Sequence, residues 1–449
     1  MAAERSDAPD FVIVAPRCAA TDWDQADELN AYVGKKDLRG YVDGAGRSGF
    51  DDAVCGCDPL AWGQVLVYHA LNHGVPAQGW EPTPFEGSVG YGSEDVPRAS
   101  WPGTYDWKAV RGKQTLDAEG GLKDIPVARL MWNLGLLGKV DYQSALGAAG
   151  SIKVEDFKAY CGFADGAMYS KIQRNGAMVP YWPDLMRRLL RVGAQTEAPT
   201  VLQISGHMIV VDGWGVDADG KEWFHVDKGW GSASGRWWDL DQLVTEGFAF
   251  YPNVFPTDLG GVIVGRVATD GAVPVPGATV TLSTADGKIK DTATTDANGC
   301  YAFIGLHKPS ADAVVDPAVP YPKDHYTLTV QAEGYADAPA QTVTVESHVD
   351  DPTRAAKQAA WDEAHKDDKP GEGEAAHFEL AYAGAVADFS LTPNAIFVTA
   401  EGGGDGRSWE TAASLRDALA QADAVHPIYL AAGDYDLDET LEIPVGLTL

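Results

Sequence analysis

Residues 55–69 read CGCDPLAWGQVLVYH, and residues 205–231 read SGHMIVVDGWGVDADGKEWFHVDKGWG. The first stretch has the signature of a helix start. Pro59 suits a first turn, the apolar run continues through His73, and Gly74-Val75-Pro76 ends it. The second reads as two strands, Met208 to Trp214 and Glu222 to Asp227, separated by the turn-rich Val216 to Gly220. Two further helical runs, IPVARLMWNLGLLG and WPDLMRRLLRVGA, lie between them. Helices first and strands after favours an α+β domain over a doubly wound sheet.

The same stretches carry the candidate chemistry. A cysteine at a helix start, Cys57, faces about half a positive charge and free N–H groups, which stabilise a thiolate and can receive an oxyanion. Asp58 works against this, and local sequence alone favours a small packed cysteine. Ser205-Gly206-His207 opens a strand whose edge can present an imidazole, although a lone histidine is more often structural. Asp227 ends the next strand, where a carboxylate could orient that ring. Nucleophile, base and orienter in the order Cys…His…Asp fit papain-like chemistry. A Cys₂His₂ metal site from Cys55, Cys57, His69 and His73 is rejected, because about 18 Å of helix axis separates Cys57 from His69. No metal and no cofactor is expected.

The 449 residues suggest about three domains. With 45% apolar and 22% charged residues the chain is not disordered as a whole. A net charge of −31 excludes nucleic acid and anionic lipid as partners, and no apolar run is long enough for a membrane span. Five scattered cysteines make no disulfide framework. The opening MAAERSDAPD lacks the pattern of a secretory signal, so a signal is expected to be trimmed or missing. Residues 258–347 hold short alternating β runs (GGVIVGRV, ATVTLSTA, YAFIGL, YTLTVQA, QTVTVES) with the spacing of a small β-sandwich. Residues 348–375 are charged and read as a linker. Short β runs return in 376–449, which breaks off in mid-alternation and reads as an incomplete domain.

Residues 10–255 resemble the streptopain family of papain-like bacterial cysteine proteases. The matching positions are Gly56-Cys57, Gln64, Tyr68-His69, Tyr105-Asp106-Trp107, Asp141-Tyr142 before Gly147 to Ser151, Gly206 to Gly213, His225 to Gly231, and Gly235 to Leu243. The resemblance implies an endopeptidase hydrolysing proteins through an acyl-enzyme, with Cys57 as nucleophile, His207 as base and Asp227 in place of the family's orienting asparagine. It further implies that Gln203 helps hold the oxyanion and that Gly147, Ser151, Gly206 and Trp230 line the substrate cleft. The family's covering tryptophan is replaced by Lys228. A cation there is expected to weaken the hold of Asp227 on His207.

Residues 258–347 resemble the carboxypeptidase regulatory-like (transthyretin-like) sandwich, through Val262 to Val267, Pro274 to Val280, Thr294 to Phe303 and Glu333-Gly334-Tyr335. Residues 396–449 resemble the opening of right-handed parallel β-helix (pectin-lyase-like) domains, through Ile396 to Val398, Asp405 to Trp409, Ser414 to Leu419 and Ile428 to Tyr435. The expected architecture is therefore multidomain. An α+β papain-like protease domain (1–255) precedes an all-β sandwich (258–347), the linker (348–375) and the truncated start of a β-helix (376–449). The leading expectation is a secreted or cell-surface peptidase. The alternative is a non-catalytic adhesive protein with a degenerate protease domain, whose β-helix takes polysaccharide as partner.

Overall fold

The computed structural model describes residues 4–5, 12–13, 23–25, 29, 54–91, 95–111, 126–144, 147–163, 172–173, 182–231, 235–252, 254–257, 259, 261–269, 273–284, 290–306, 323–346, 384–406, 411–422, 426–435 and 440. Its elements in the first half are β1 (Glu4–Arg5), β2 (Val12–Ile13), α1 (Cys57–Asn72), β3 (Glu86–Gly90), β4 (Asp95–Ala99), α2 (Trp107–Arg111), α3 (Pro126–Leu137), β5 (Asp141–Ser144) and β6 (Gly147–Ala149). They continue with α4 (Val154–Cys161), β7 (Ile172–Gln173), α5 (Trp182–Gln195), β8 (Thr200–Ile204), β9 (His207–Val216), β10 (Glu222–Asp227), β11 (Gly235–Asp239), α6 (Leu240–Glu246) and β12 (Gly247–Tyr251). Among the described residues no helix is long and apolar enough to cross a membrane.

The framework is an eight-stranded sheet ordered β1-β11-β10-β9-β8-β12-β7, with β2 paired to β9. Alternation along its strands divides two cores. Val201, Met208, Val210 and Tyr251 pack with α1 and α3, while Leu202, Ile209, Val211, Phe224 and Phe250 pack with α5 on the opposite face. Helix α1 is buried nearly all round, with 13 of its 16 residues inside, so it is the axis of the first core and not a surface helix. Its close approach to α3 and to Trp23 needs Gly63, where a Cβ would collide with Met131.

Downstream, β13 (Gly261–Thr269), β14 (Thr279–Thr284), β15 (Lys290–Thr294), β16 (Cys300–Leu306), β17 (Lys323–Gln331) and β18 (Gln341–Glu346) are followed by β19 (Gly384–Val386) and β20 (Phe389–Leu391). Two four-stranded sheets result, β15-β14-β17-β18 and β16-β13-β19 with β20 on β13. Ile263, Phe303 and Phe389 from one sheet and Val280, Leu328 and Val345 from the other share a single core. Strands β19 and β20 pair in parallel with β13, so this unit draws strands from beyond the charged 348–375 segment, which itself lies outside the described residues. Finally β21 (Ile396–Val398) and β22 (Ile428–Leu430) pair in parallel across α7 (Leu415–Gln421), over a small core of Ile396, Val398, Ala413, Ala418 and Ile428.

The two large units are joined by polar and apolar contacts. Val262, Val264, Cys300 and Val386 belong to the core on the α5 face of the big sheet. Asp388 receives the Arg191 guanidinium in two bonds of 2.6 and 2.8 Å and the Arg266 backbone N–H at 2.9 Å. Gln195 donates to the Gly265 carbonyl at 3.0 Å.

Candidate active site

Cys57 is the first residue of α1, after Gly56 at φ 96°, a left-handed conformation that favours glycine. Backbone N–H groups of three residues, Met208, Cys57 itself and Asp58, pull its half-buried thiol toward the thiolate. Two of these are orphan donors of the helix start. The third comes from the residue after His207. Burial nevertheless pushes the thiol up, outweighing those N–H groups, and the Asp58 charge adds to the rise. The thiolate expected of a helix N-terminus is thus not favoured at rest. Asp58 itself turns aside and accepts the Ile152 N–H at 2.8 Å. Neighbouring Cys55 is buried, its thiol driven far up by desolvation, and its backbone N–H donates to the Gln25 carbonyl at 2.9 Å.

His207 opens β9, its strand turned back from β8 through Ser205 and Gly206, the latter at φ 70°. Its Nε2 lies 2.7 Å from the Lys228 carbonyl. A carbonyl only accepts, so Nε2 carries the proton and the neutral ring keeps its lone pair on Nδ1. The ring stacks on Trp230, with centroids 4.9 Å apart and planes 24° apart. Burial lowers the His207 pKa, the bond to the Lys228 carbonyl opposes this, and the Lys228 charge lowers it again. Burial thus acts on both groups against their charged forms, raising the thiol and lowering the imidazole.

Asp227 departs from the expected orienting role. It is buried at the end of β10, and its Oδ1 accepts the Gly229 N–H at 2.7 Å. The carboxylate builds the turn; the backbone of the next residue holds the ring. Gly229 at φ 66° completes the turn, and a Cβ there would collide with Leu60 in the first turn of α1. The loop bearing the histidine's partner is thereby docked on the helix bearing the cysteine. No side-chain pattern announces a backbone carbonyl, although Asp-x-Gly at 227–229 is a turn signal that could have suggested it.

Gln203 stands opposite Met208 across β8 and β9, on the α1 face of the sheet by register. Gly147 belongs to β6, and Ala148 lies 3.3 Å from where a Cβ on Gly56 would sit. Ser151 follows β6 and bonds Tyr251, whose hydroxyl burial pushes up to about 12. Trp230 is 54% exposed and bridges Asp24. Of these positions, β6 approaches Gly56 through Ala148, Trp230 stacks on His207, and Asp227 acts on the turn. Other histidines lie elsewhere: His225 meets Asp212 at 2.5 Å in the sheet interior, and buried His69 meets the Val254 carbonyl at 2.6 Å and His73 at 3.0 Å. Among the described residues, no three His, Cys, Asp or Glu side chains are grouped to hold a metal.

Helix α1, strand β9 and the loop at 227–229 fall inside one matched region. Residues 23–238 match the Peptidase C10 family. Streptopain from Streptococcus pyogenes serotype M28 (strain MGAS6180) and streptopain from serotype M1 are each 24% identical over 196 residues, 42% of this chain. The matched part spans 46% of the length of these relatives. Among solved structures, the Bacillus anthracis TIE protein aligns at 12% identity over 45% of this chain and 32% of its own, with a TM-score of 0.17. The dioxygenase domain of a dioxygenase carbohydrate-binding protein fusion from Streptomyces sp. SirexAA-E aligns at 17% identity over 30% of this chain and 80% of its own, with a TM-score of 0.15. Neither score is high enough to bear on the fold.

Proposed function

We propose that the chain is a secreted or cell-surface cysteine endopeptidase acting on protein substrates, with Cys57 as nucleophile and His207 as base. The single observation that carries the reading is the docking of the Lys228 loop, whose carbonyl holds the His207 ring, against the first turn of the helix that Cys57 opens. With Nε2–H engaged by Lys228, His207 Nδ1 takes the thiol proton as sulfur attacks the scissile carbonyl. The carbonyl π pair moves onto oxygen, and the Cys57 N–H with the Gln203 amide stabilises the oxyanion. Collapse breaks the C–N bond, and the imidazolium gives its proton to the leaving amine. Water, deprotonated by the same nitrogen, then releases the acid from the acyl-enzyme. Gly147, Ser151, Gly206 and Trp230 border the cleft.

With burial holding the thiol up and the imidazole down, we assign the proton transfer to the moment of attack. The carbonyl of Lys228, and not the carboxylate of Asp227, orients the base in this reading. The unit built on β13 to β20 fits the transthyretin-like resemblance, and β21, α7 and β22 fit the first coil of a parallel β-helix. The experiment is Cys57→Ala against a general protein substrate and a thiol-directed covalent inhibitor. Loss of both hydrolysis and labelling is expected, whereas full hydrolysis in that variant refutes the assignment.

A further inference from the structure

Lys228 has two jobs at once. Its carbonyl accepts from His207, and its ammonium lies 5.0 Å from the Trp238 ring centre and 5.8 Å from that of Trp230, the ring on which His207 stacks. The N-terminal strand reaches this ammonium. β1 pairs with β11, Glu4 opposite Trp238, and the Glu4 carboxylate lies 3.0 and 3.3 Å from Lys228 Nζ and 3.2 Å from Arg236 Nε. Lys228 is only 15% exposed, so its charge is partly shielded from water and its field on nearby groups is correspondingly strong.

We propose that Glu4 is a positioning residue for the peptidase reaction, anchoring and neutralising Lys228 so that the Lys228 carbonyl stays on the His207 ring. This rests on the peptidase reading given above. The physical need comes from the chemistry. During acylation His207 becomes an imidazolium, and an uncompensated ammonium on the adjoining loop opposes that charge. Among the described residues, the charged groups around the pair include Asp227 tied to Gly229 in the same loop, and Glu4 on β1 with Arg236 on β11 facing Lys228. The Glu4 carboxylate meets both cations, so its removal takes the carboxylate partner from the Lys228 ammonium beside the base.

The test uses the full chain with Glu4→Gln, Lys228→Met and the double variant. Peptide hydrolysis is followed as kcat/KM against pH, and the His207 ring by NMR titration. In Glu4→Gln the acid limb moves to lower pH and the plateau falls roughly 3- to 10-fold, as expected of a weakened base. Lys228→Met moves the limb to higher pH, and adding Glu4→Gln to it shifts nothing further. A plateau loss with an unmoved limb means Glu4 only braces a strand, and overturns the inference. So does a Glu4→Gln shift that persists without Lys228. If the unsubstituted chain shows no Cys57-dependent hydrolysis, the peptidase reading fails by itself. The NMR titration still decides the ion pair then, an unchanged His207 in Glu4→Gln refuting it.

Discussion

Asp388→Asn tests whether the two large units are one energetic body. Arg191 is enclosed, its side chain 1% exposed, and it gives both terminal nitrogens to Asp388. Taking one partner from a fully buried ion pair costs about 3–5 kcal/mol, because the other charge is stranded away from water. Two features reduce that figure here. Asp388 is 43% exposed, and Glu222 remains 3.4 Å from Arg191. We therefore expect about 2 kcal/mol, or a fall of about 4–8 °C in the melting temperature of a unit of this size. Asparagine still accepts from Arg266 N–H, so the backbone of the loop is spared. The assay is a thermal melt by calorimetry, comparing the original chain with Asp388→Asn.

The pH dependence supplies an independent check. Burial raises the Asp388 pKa, but the bonds and charge of Arg191 outweigh it and hold the carboxyl below the ordinary aspartate range. A depressed folded-state pKa contributes stability above the unfolded value of about 4, and that contribution fades as the pH falls through the folded value. The gap between the original chain and Asp388→Asn should accordingly be full at neutral pH and close on acidification. An unchanged melting temperature at pH 7, or a gap that widens in acid, would refute the reasoning.

Gly229→Ala forces a side chain into a left-handed position and against Leu60; a stability loss of about 1–2 kcal/mol from the backbone alone is expected, with a larger drop in kcat than in affinity. Measuring both in Gly229→Ala/Leu60→Ala checks the collision, which should be partly relieved. Alkylation of Cys57 by iodoacetamide should accelerate as pH rises through the alkaline range, because burial has raised the thiol pKa. A fast, pH-independent rate from acid to neutral would instead reveal a preformed thiolate–imidazolium pair. Asp227→Asn, which can still accept from Gly229, should retain far more activity than Asp227→Ala, and equal losses in steady-state rates would contradict the turn-building role.

The helix and strands that build the candidate site are legible because their causes are local. The apolar run after Pro59 marks α1, and the alternations around Met208 and Phe224 mark β9 and β10. Strand β15, Lys290–Thr294, is exposed along most of its length and so carries no apolar alternation to betray it. The pair β19 and β20 was hidden for a different reason. Three and three residues are too short to signal a strand, and their partner β13 lies more than a hundred positions upstream. The site divides along the same line. Cys57 and His207 declare themselves through side chains that chemistry needs, but the group holding the imidazole is a peptide carbonyl, which every residue possesses. That is why Lys228 drew attention as a disturbing charge when its backbone is the orienting contact. It also makes the side chain at 228 free to vary, provided a compensating partner such as Glu4 answers whatever charge it brings. A carbonyl orienter fixes the turn and leaves the residue open. The constraint then falls on Asp227 and Gly229, the two positions whose side chain and backbone conformation make that turn.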